Sequence, residues 1–359
     1  MTHNTQWRGQ LDALLDAFNE RHASIGKGIS HSTREARSQG LYRIFALLRK
    51  LGFKPIPENL AERHVRALMA YWTAQPLPAD VLLDMPMTIP RRAYPCSAAY
   101  IQQQMSFIRV FASWIGKPGL VRSAESYVND PALVRRSYGA LIDKGWESHG
   151  LAVDEVIAAV DAVDSHVGGQ LAMMIAFGLR RKEAVMFCPR AAEVPAYALP
   201  AQYPRSDHYI SFLRIKRGTK GGRLRYAAVR TPQQRQALAR ARCLARQEWG
   251  HIGHPGLSLK QSLDLFSNVV RSVGLTKNDL GVTPHGLRHQ FAGDLYFDIT
   301  QVQPPVRGGE LLIDREVMAD AYRQVAEQLG HHRRQISNAY LGSPVVRRSD
   351  DVDLIGAAS

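Results

Sequence analysis

The second half of the chain holds polar side chains whose types suit attack on a phosphodiester. His285 and Arg288 lie three positions apart, which places both on one face of a helix. His331 follows, and Tyr340 comes nine positions after it. A tyrosine hydroxyl can serve as a nucleophile, and arginine and histidine can bind the anionic phosphate. This set predicts a tyrosine that attacks a phosphodiester.

Three short motifs in this half resemble the signature boxes of the tyrosine recombinases, the phage-integrase family. The first, G-L-R-R-K-E at residues 178–183, is similar to the family's G-L-R-x-x-E box. The second, H-G-L-R at 285–288, is similar to its H-x-x-R box. The third is L-G-H at 329–331, followed by Y-L at 340–341, and it resembles the family's L-G-H and nucleophile boxes. The motifs occur in the family's order.

Two arginines are candidates for binding the phosphate. Negative charge gathers on the non-bridging oxygens in the transition state, and arginine suits them because it is always charged and donates paired hydrogen bonds. The resemblance implies Arg180 and Arg288 for this role. Glu183 lies three positions after Arg180 and could support a guanidinium group; the alternative is a surface ion pair.

Alternating segments at 209–215 and 223–229 predict a β-hairpin with a basic, glycine-rich turn. In the family, a hairpin at this point carries the catalytic lysine, which protonates the departing 5′ oxygen. The resemblance favours Lys220. Lys216 stays the alternative, because the register of a hairpin is not fixed by its sequence.

Tyr340 has to lose its proton as it attacks, and the resemblance implies His285 as the base or orienting group. His331 would donate a hydrogen bond to the phosphate. The product would be a covalent 3′-phosphotyrosyl bond that a second strand can reverse, so no metal or other cofactor is required. His285 and His289 have a zinc-ligand spacing, but the glutamate of H-E-x-x-H is absent and an arginine lies between them.

Composition indicates a nucleic-acid partner. The chain has 46 Lys+Arg against 32 Asp+Glu, a net charge of +14, which favours a polyanion. Three scattered cysteines are typical of reduced thiols in the cytosol. There is no apolar signal core at residues 1–10, and the run at 171–179 is too short to span a membrane. We therefore expect a cytoplasmic protein that is associated with the nucleoid when it is bound to DNA and that has no membrane partner.

Helical periodicity dominates, and it predicts a mainly α fold with one small antiparallel β-hairpin. We expect a flexible N-terminal arm at 1–30, a helical core-binding bundle at 31–120, a linker at 121–147 and a catalytic domain at 148–359. The role of the bundle as a DNA clamp follows from the resemblance.

Two further predictions concern local structure in the catalytic domain. Thr283 and Pro284 predict a helix N-cap and first turn in front of Arg288. Between Arg288 and His331 lies more chain than the family usually has. The additional residues, near 298–315, are rich in proline and glycine and predict a surface loop.

These expectations together describe a site-specific DNA recombinase or integrase of a mobile genetic element. It would bind double-stranded DNA at specific recombination sites as a homotetramer, with accessory DNA-bending or directionality proteins as further partners. The alternatives are a type IB-like topoisomerase or telomere resolvase with the same chemistry, and a non-catalytic DNA-binding accessory protein on the same scaffold. A metal-dependent nuclease or transposase would need clustered carboxylates, and the sequence has no such cluster.

Overall fold

We describe the chain from a computed structural model. The described residues are 6–20, 28–76, 90–200, 209–309, 313–331 and 333–343. The chain divides into two compact units, Met1–Ser137 and Tyr138–Ser359. The division lies inside the predicted linker at 121–147, and the finer domain boundaries remain predictions.

The first unit is a helical bundle. Its helices are α1 (Gln6–Phe18), α2 (His31–Lys50), α3 (Glu62–Trp72) and α4 (Ala98–Trp114). Short 3-10 turns lie at Pro57–Asn59, Ala124–Tyr127 and Pro131–Leu133. Ser97 caps α4 through the Tyr100 amide, and Ser30 caps α2 through the Thr33 amide. The bundle buries one apolar core, which the helical stripes in the sequence had indicated.

Helix α1 differs from the loosely attached arm predicted for residues 1–30. Trp7, Leu11 and Leu15 are buried and belong to the core of the bundle. The Arg49 guanidinium lies over the Trp7 ring at 4.4 Å. Burial of these side chains stabilises the helix against the bundle. Of the predicted arm, residues 1–5 and 21–27 lie outside the described residues.

The second unit is mainly helical and contains one small sheet. Its helices are α5 (Val153–Val163), α6 (Ser165–Phe177), α7 (Arg181–Val185), α8 (Pro189–Ala192), α9 (Pro232–Leu244), α10 (Leu259–Ser272), α11 (Gly286–Thr300), α12 (Arg315–Gln328) and α13 (Asn338–Leu341). Further 3-10 turns lie at Glu147–His149, Ala196–Ala198, Lys220–Gly222, Pro305–Arg307 and Arg334–Ser337.

The sheet has the antiparallel order β1-β2-β3, with β1 at Glu193–Pro195, β2 at Ser211–Ile215 and β3 at Arg225–Ala228. Strands β2 and β3 form the predicted hairpin, with Ile215 opposite Arg225. Strand β1 was not predicted, because three residues are too few to show an alternating pattern. The mainly α fold with a small antiparallel sheet is therefore confirmed.

Helix α11 begins later than predicted. Thr283 does not cap it; instead the Gly286 amide donates to Thr283 O at 2.8 Å and the Arg288 amide to His285 O at 3.0 Å. This tight turn leads into the helix at Gly286. A Cβ on Gly286 would lie 2.4 Å from Lys144 O, so only glycine allows the close approach of that segment.

The predicted surface loop at 298–315 is only partly a loop. Helix α11 extends to Thr300, and the 3-10 turn Pro305–Arg307 carries an arginine whose side chain is only 15% exposed. The proline-rich sequence hides this feature, because the partners of Arg307 lie far away in the chain. No helix among the described residues is long and apolar enough to cross a membrane.

Candidate active site

Glu183 is a fully buried carboxylate surrounded by guanidinium groups. It accepts hydrogen bonds from Arg180 Nη1 at 2.6 Å and from Arg225 Nη2 at 2.8 Å, and Arg288 Nη1 lies 3.9 Å away. Burial would raise the pKa of this carboxyl, but the arginines outweigh it and hold the pKa at about 2. The pair with Arg180 is therefore not the surface ion pair that the sequence left open. Glu183 fixes the positions of the cations.

Arg288 is fully buried, and it joins several segments. Its Nη1 donates to Gly178 O, and its Nη2 donates to Leu329 O at 2.6 Å. Its Nε donates to the hydroxyl oxygen of Tyr340 at 3.1 Å. Burial lowers the pKa of Arg288 to about 10, which leaves the group charged at neutral pH. Residues from all three sequence motifs therefore meet at one guanidinium.

Arg180 precedes helix α7, and its amide donates to Glu183 Oε2 at 2.9 Å. Its Nη2 lies 3.3 Å from His331 Nε2, and Arg288 Nη2 lies 3.4 Å from the same nitrogen. A guanidinium can only donate, so His331 Nε2 accepts and the ring proton resides on Nδ1. Burial and the neighbouring guanidinium groups lower the pKa of His331 to about 4. His331 is therefore neutral at pH 7.

Three imidazole rings surround the phenol of Tyr340, which is 8% exposed. The ring centroids lie 4.8 Å away for His289, 6.0 Å for His331 and 6.5 Å for His285. Burial, followed by nearby positive groups, lowers the pKa of His285 to about 4 and that of His289 to about 3. The tyrosine is therefore held among neutral rings.

The hairpin turn holds both lysines at exposed positions. Lys216 Nζ donates to Gly222 O across the turn. Lys220 opens the 3-10 turn, and its charge is among those that lower the pKa of His331. Lys216 is therefore engaged within its own turn.

Two residues of the cluster were missed from the sequence. Arg225 is 1% exposed and binds Glu183, Gly178 O and Gln328 O. It is the first residue of β3 and lies inside the predicted strand at 223–229, but no local pattern marks it as buried. The sequence motifs assign no role to His289, yet it has the nearest ring to Tyr340 among these histidines.

A metal site finds no support in the cluster. The described residues contain no group of three or more His, Cys, Asp or Glu side chains placed to hold a metal ion. His285 and His289 have ring centroids 5.4 Å apart. A cation there would face Arg288, one of the groups that already lower the pKa of both rings.

Residues 147–294 match the family model described as Integrase. This range includes Arg180, Glu183, Lys220, His285 and Arg288. His331 and Tyr340 lie beyond it, but the hydrogen bonds of Arg288 join both to the matched part. The matched part of the chain is therefore similar to the integrase family. No curated protein matches its sequence with significance.

Solved structures similar to this chain cover most of its length. One is a lambda integrase dimer bound to a COC′ core site, with 12% identity, 94% of this chain and 78% of that chain covered, and a TM-score of 0.46. XerH site-specific recombinase bound to palindromic difH substrate has 15% identity, 89% and 77% coverage, and a TM-score of 0.45. The Tn1549 transposon integrase with circular intermediate DNA has 11% identity, 97% and 99% coverage, and a TM-score of 0.45. All of these TM-scores are below 0.5, so the similarity to integrases rests on the match at residues 147–294.

Proposed function

We propose that the chain is a site-specific DNA recombinase or integrase that cleaves and rejoins DNA strands through a 3′-phosphotyrosyl intermediate on Tyr340. One observation carries the proposal: the hydroxyl of Tyr340 is hydrogen-bonded to Arg288, whose Nη2 shares His331 Nε2 with Arg180. A nucleophile and two cations that could bind the phosphate therefore meet in one cluster.

The phosphate would be bound by Arg180 and Arg288. Arg180 is 22% exposed, so part of its side chain is accessible, whereas Arg288 is buried. Glu183 orients both cations and reduces their mutual repulsion. Such preorganised donors stabilise the charge that develops on the non-bridging oxygens, typically by about 3–4 kcal/mol each.

In the proposed step, the Tyr340 oxygen forms a bond to phosphorus as the bond from phosphorus to the 5′ oxygen breaks. The phenolic proton leaves as the nucleophile attacks, and His285, neutral at pH 7, is the group proposed to accept or orient it. Lys220 gives a proton to the departing 5′ oxygen. His331 donates from Nδ1–H to the phosphate, since its Nε2 accepts from the arginines.

The reverse reaction uses the same groups. A 5′ hydroxyl from another strand attacks the phosphotyrosyl bond, and Tyr340 leaves. The proposed partner is double-stranded DNA at specific sites, which agrees with the net charge of +14. Four strand cleavages in two duplexes call for four protomers on DNA. We place the protein in the cytoplasm, with the nucleoid when it is bound to DNA, and its accessory proteins are further proposed partners.

A plasmid assay tests this function against the alternatives. A binding site is first selected from a random-sequence duplex pool with the full chain, and two copies are placed in direct repeat on one plasmid. We expect excision of the intervening DNA in EDTA without ATP, and no relaxation of a plasmid that lacks the sites. Relaxation without sites would instead indicate a topoisomerase. Binding without any strand breakage would indicate an accessory protein.

A further inference from the structure

Arg307 lies in the additional segment between Arg288 and His331, but its side chain is mostly buried. Its Nε donates to Asp143 Oδ2 at 2.7 Å, and its Nη1 donates to Asp294 Oδ1 at 2.9 Å. Asp143 precedes the matched integrase range, and Asp294 is on α11. One guanidinium therefore joins its own turn to α11, with a partner 13 positions away, and to the Asp143 segment, with a partner 164 positions away.

Helix α11 has a glycine where Arg307 crosses it. A Cβ at Gly293 would lie 2.6 Å from Arg307 Cζ. Glycine in the interior of a helix lowers its stability. At position 293, however, the missing side chain leaves room for the Arg307 guanidinium. The Arg307 guanidinium therefore packs directly against the backbone of α11 at Gly293.

Asp143 is held rigidly on its own side. It is 7% exposed, and its carboxylate accepts from the Gly145 amide at 2.9 Å and from the Ser148 hydroxyl. A Cβ on Gly145 would lie 2.6 Å from Gln290 Oε1. The segment that carries Asp143 thus packs on the same part of α11 that Arg307 crosses.

The short helix α13 carries Tyr340. It lies between the 138–146 segment, which contains Asp143, and the 305–307 turn, which contains Arg307. The Ala140 amide donates to Asn338 O at 2.7 Å. At the other end of α13, a Cβ on Gly342 would lie 3.0 Å from Val306 N and 3.4 Å from Ala140 O. The backbone beside Tyr340 is therefore enclosed by the neighbours of Asp143 on one side and of Arg307 on the other.

We propose that Arg307 is a positioning residue that holds the Tyr340 helix in its attacking position by clipping the 138–146 segment to the 305–307 turn. This inference rests on the proposed function. It assigns a role to the additional residues near 298–315, which the three sequence motifs do not include. Arg307 itself does not touch the phosphate; it acts through Asp143, Val306 and the backbone of α13.

The test compares four single variants of the full chain. Arg307→Ala removes the clip, and Arg307→Lys keeps the charge but lacks the planar fork that joins two carboxylates. Gly293→Ala leaves Arg307 in place but puts a methyl group where its guanidinium lies. Arg323→Ala is the matched control, because Arg323 forms an exposed ion pair with Asp320 on its own helix.

Each variant is measured in two ways. The first is hydrogen exchange of the 338–343 peptide in the absence of DNA. The second is single-turnover formation of the covalent adduct at saturating DNA, with the dissociation constant measured separately. The DNA is the selected binding site, prepared as suicide duplexes nicked at successive positions.

We expect Arg307→Ala and Gly293→Ala to accelerate exchange in the 338–343 peptide and to slow adduct formation about ten- to a hundredfold, since small displacements of reacting groups cost this much. The dissociation constant should stay within about twofold, because no proposed DNA contact is removed. Arg307→Lys should be intermediate, and Arg323→Ala should match the wild type. The Gly293→Ala/Arg307→Ala double variant should be no slower than Arg307→Ala.

Wild-type exchange at 338–343 in Arg307→Ala would overturn the positioning role, and so would a loss confined to DNA affinity. The hydrogen-exchange measurement needs no DNA, so it tests the positioning role of Arg307 independently of the proposed function. If the wild type forms no adduct while Arg307→Ala still loosens the 338–343 peptide, the proposed function fails and the clip stands.

Discussion

Arg288 Nε donates a hydrogen bond of 3.1 Å to the hydroxyl oxygen of Tyr340 in the same chain. The same guanidinium is 3.9 Å from Glu183 and 3.4 Å from His331 Nε2. The proposed nucleophile therefore touches the proposed phosphate-binding cation within one protomer.

Replacing Arg288 by lysine should nearly abolish cleavage. A lysine ammonium cannot serve Gly178 O, Leu329 O and Tyr340 together, so the charge would no longer be fixed beside the phosphate. We expect the single-turnover rate of adduct formation to fall by about 10²–10³-fold, the cost of losing a preorganised donor. Arg323→Lys is the control and should keep the wild-type rate. A rate for Arg288→Lys within threefold or so of the wild type would contradict the role.

Glu183→Gln should strongly destabilise the second unit. The substitution keeps the size of the side chain but leaves Arg225 and Arg288 buried without their carboxylate. Breaking a buried pair in this way costs about 3–5 kcal/mol, to be measured as the free energy of unfolding in urea. Glu62→Gln, which removes only the exposed pair with Arg122, should cost no more than about 1 kcal/mol. Equal effects for the two variants would show that Glu183 does not organise the cluster.

The same carboxylate predicts a pH dependence. Its pKa in the folded chain is depressed to about 2, against about 4.3 for an unperturbed glutamate. Its stabilising contribution is therefore complete above about pH 4.3 and is lost as the pH falls towards 2. Glu183→Gln should remove this part of the acid dependence of the unfolding free energy. A variant with the wild-type profile between these pH values would contradict the assignment.

The three histidines around Tyr340 should not titrate near neutral pH. Their pKa values lie at about 4 for His285 and His331 and about 3 for His289, below the unperturbed value of 6.5. The unfolded chain therefore binds more protons between pH 6.5 and 4, and stability falls as the pH falls through this window. In the DNA-free protein, the NMR signals of these rings should stay constant from pH 8 to about pH 5.5 and shift only below it. The urea-unfolded chain is the control and should titrate near 6.5; a folded-state transition near 6.5 would be contrary evidence.

Lys220 can be distinguished from Lys216 by the chemistry of the leaving group. A 5′-bridging phosphorothiolate leaves as a thiolate, which needs no proton, so it bypasses a missing general acid. Lys220→Ala should slow cleavage of the ordinary phosphodiester about 10²-fold or more and cleave the phosphorothiolate at close to the wild-type rate. Lys216→Ala should behave like the wild type on both substrates. The reverse pattern would assign the acid to Lys216.

The sequence motifs predicted the residues of the candidate site that have fixed spacing, but not the contacts between them. Gly178 and Leu329 were noticed as letters of two motifs, and the structure shows their carbonyl oxygens as acceptors for Arg288. Arg180 was expected at a helix start, where it lies. Their catalytic roles remain predictions that the experiments above address.

Long-range packing explains what the sequence did not show. Arg225 and Arg307 each have side-chain partners far along the chain, and no local pattern marks a basic residue as buried. The same limit applies to α1, whose buried face depends on contact with α2. The approach of Lys144 to Gly286 at the start of α11 is another contact between distant segments.

The most direct measurement is mass-spectrometric mapping of the covalent adduct formed on a suicide duplex that contains the selected site. We expect a phosphotyrosyl peptide at Tyr340 in the wild type and no adduct in Tyr340→Phe, with DNA binding retained. Tyr296→Phe loses a hydroxyl in the same apolar core and should still form the adduct. An adduct on another residue, or one that persists in Tyr340→Phe, would contradict the assignment of the nucleophile.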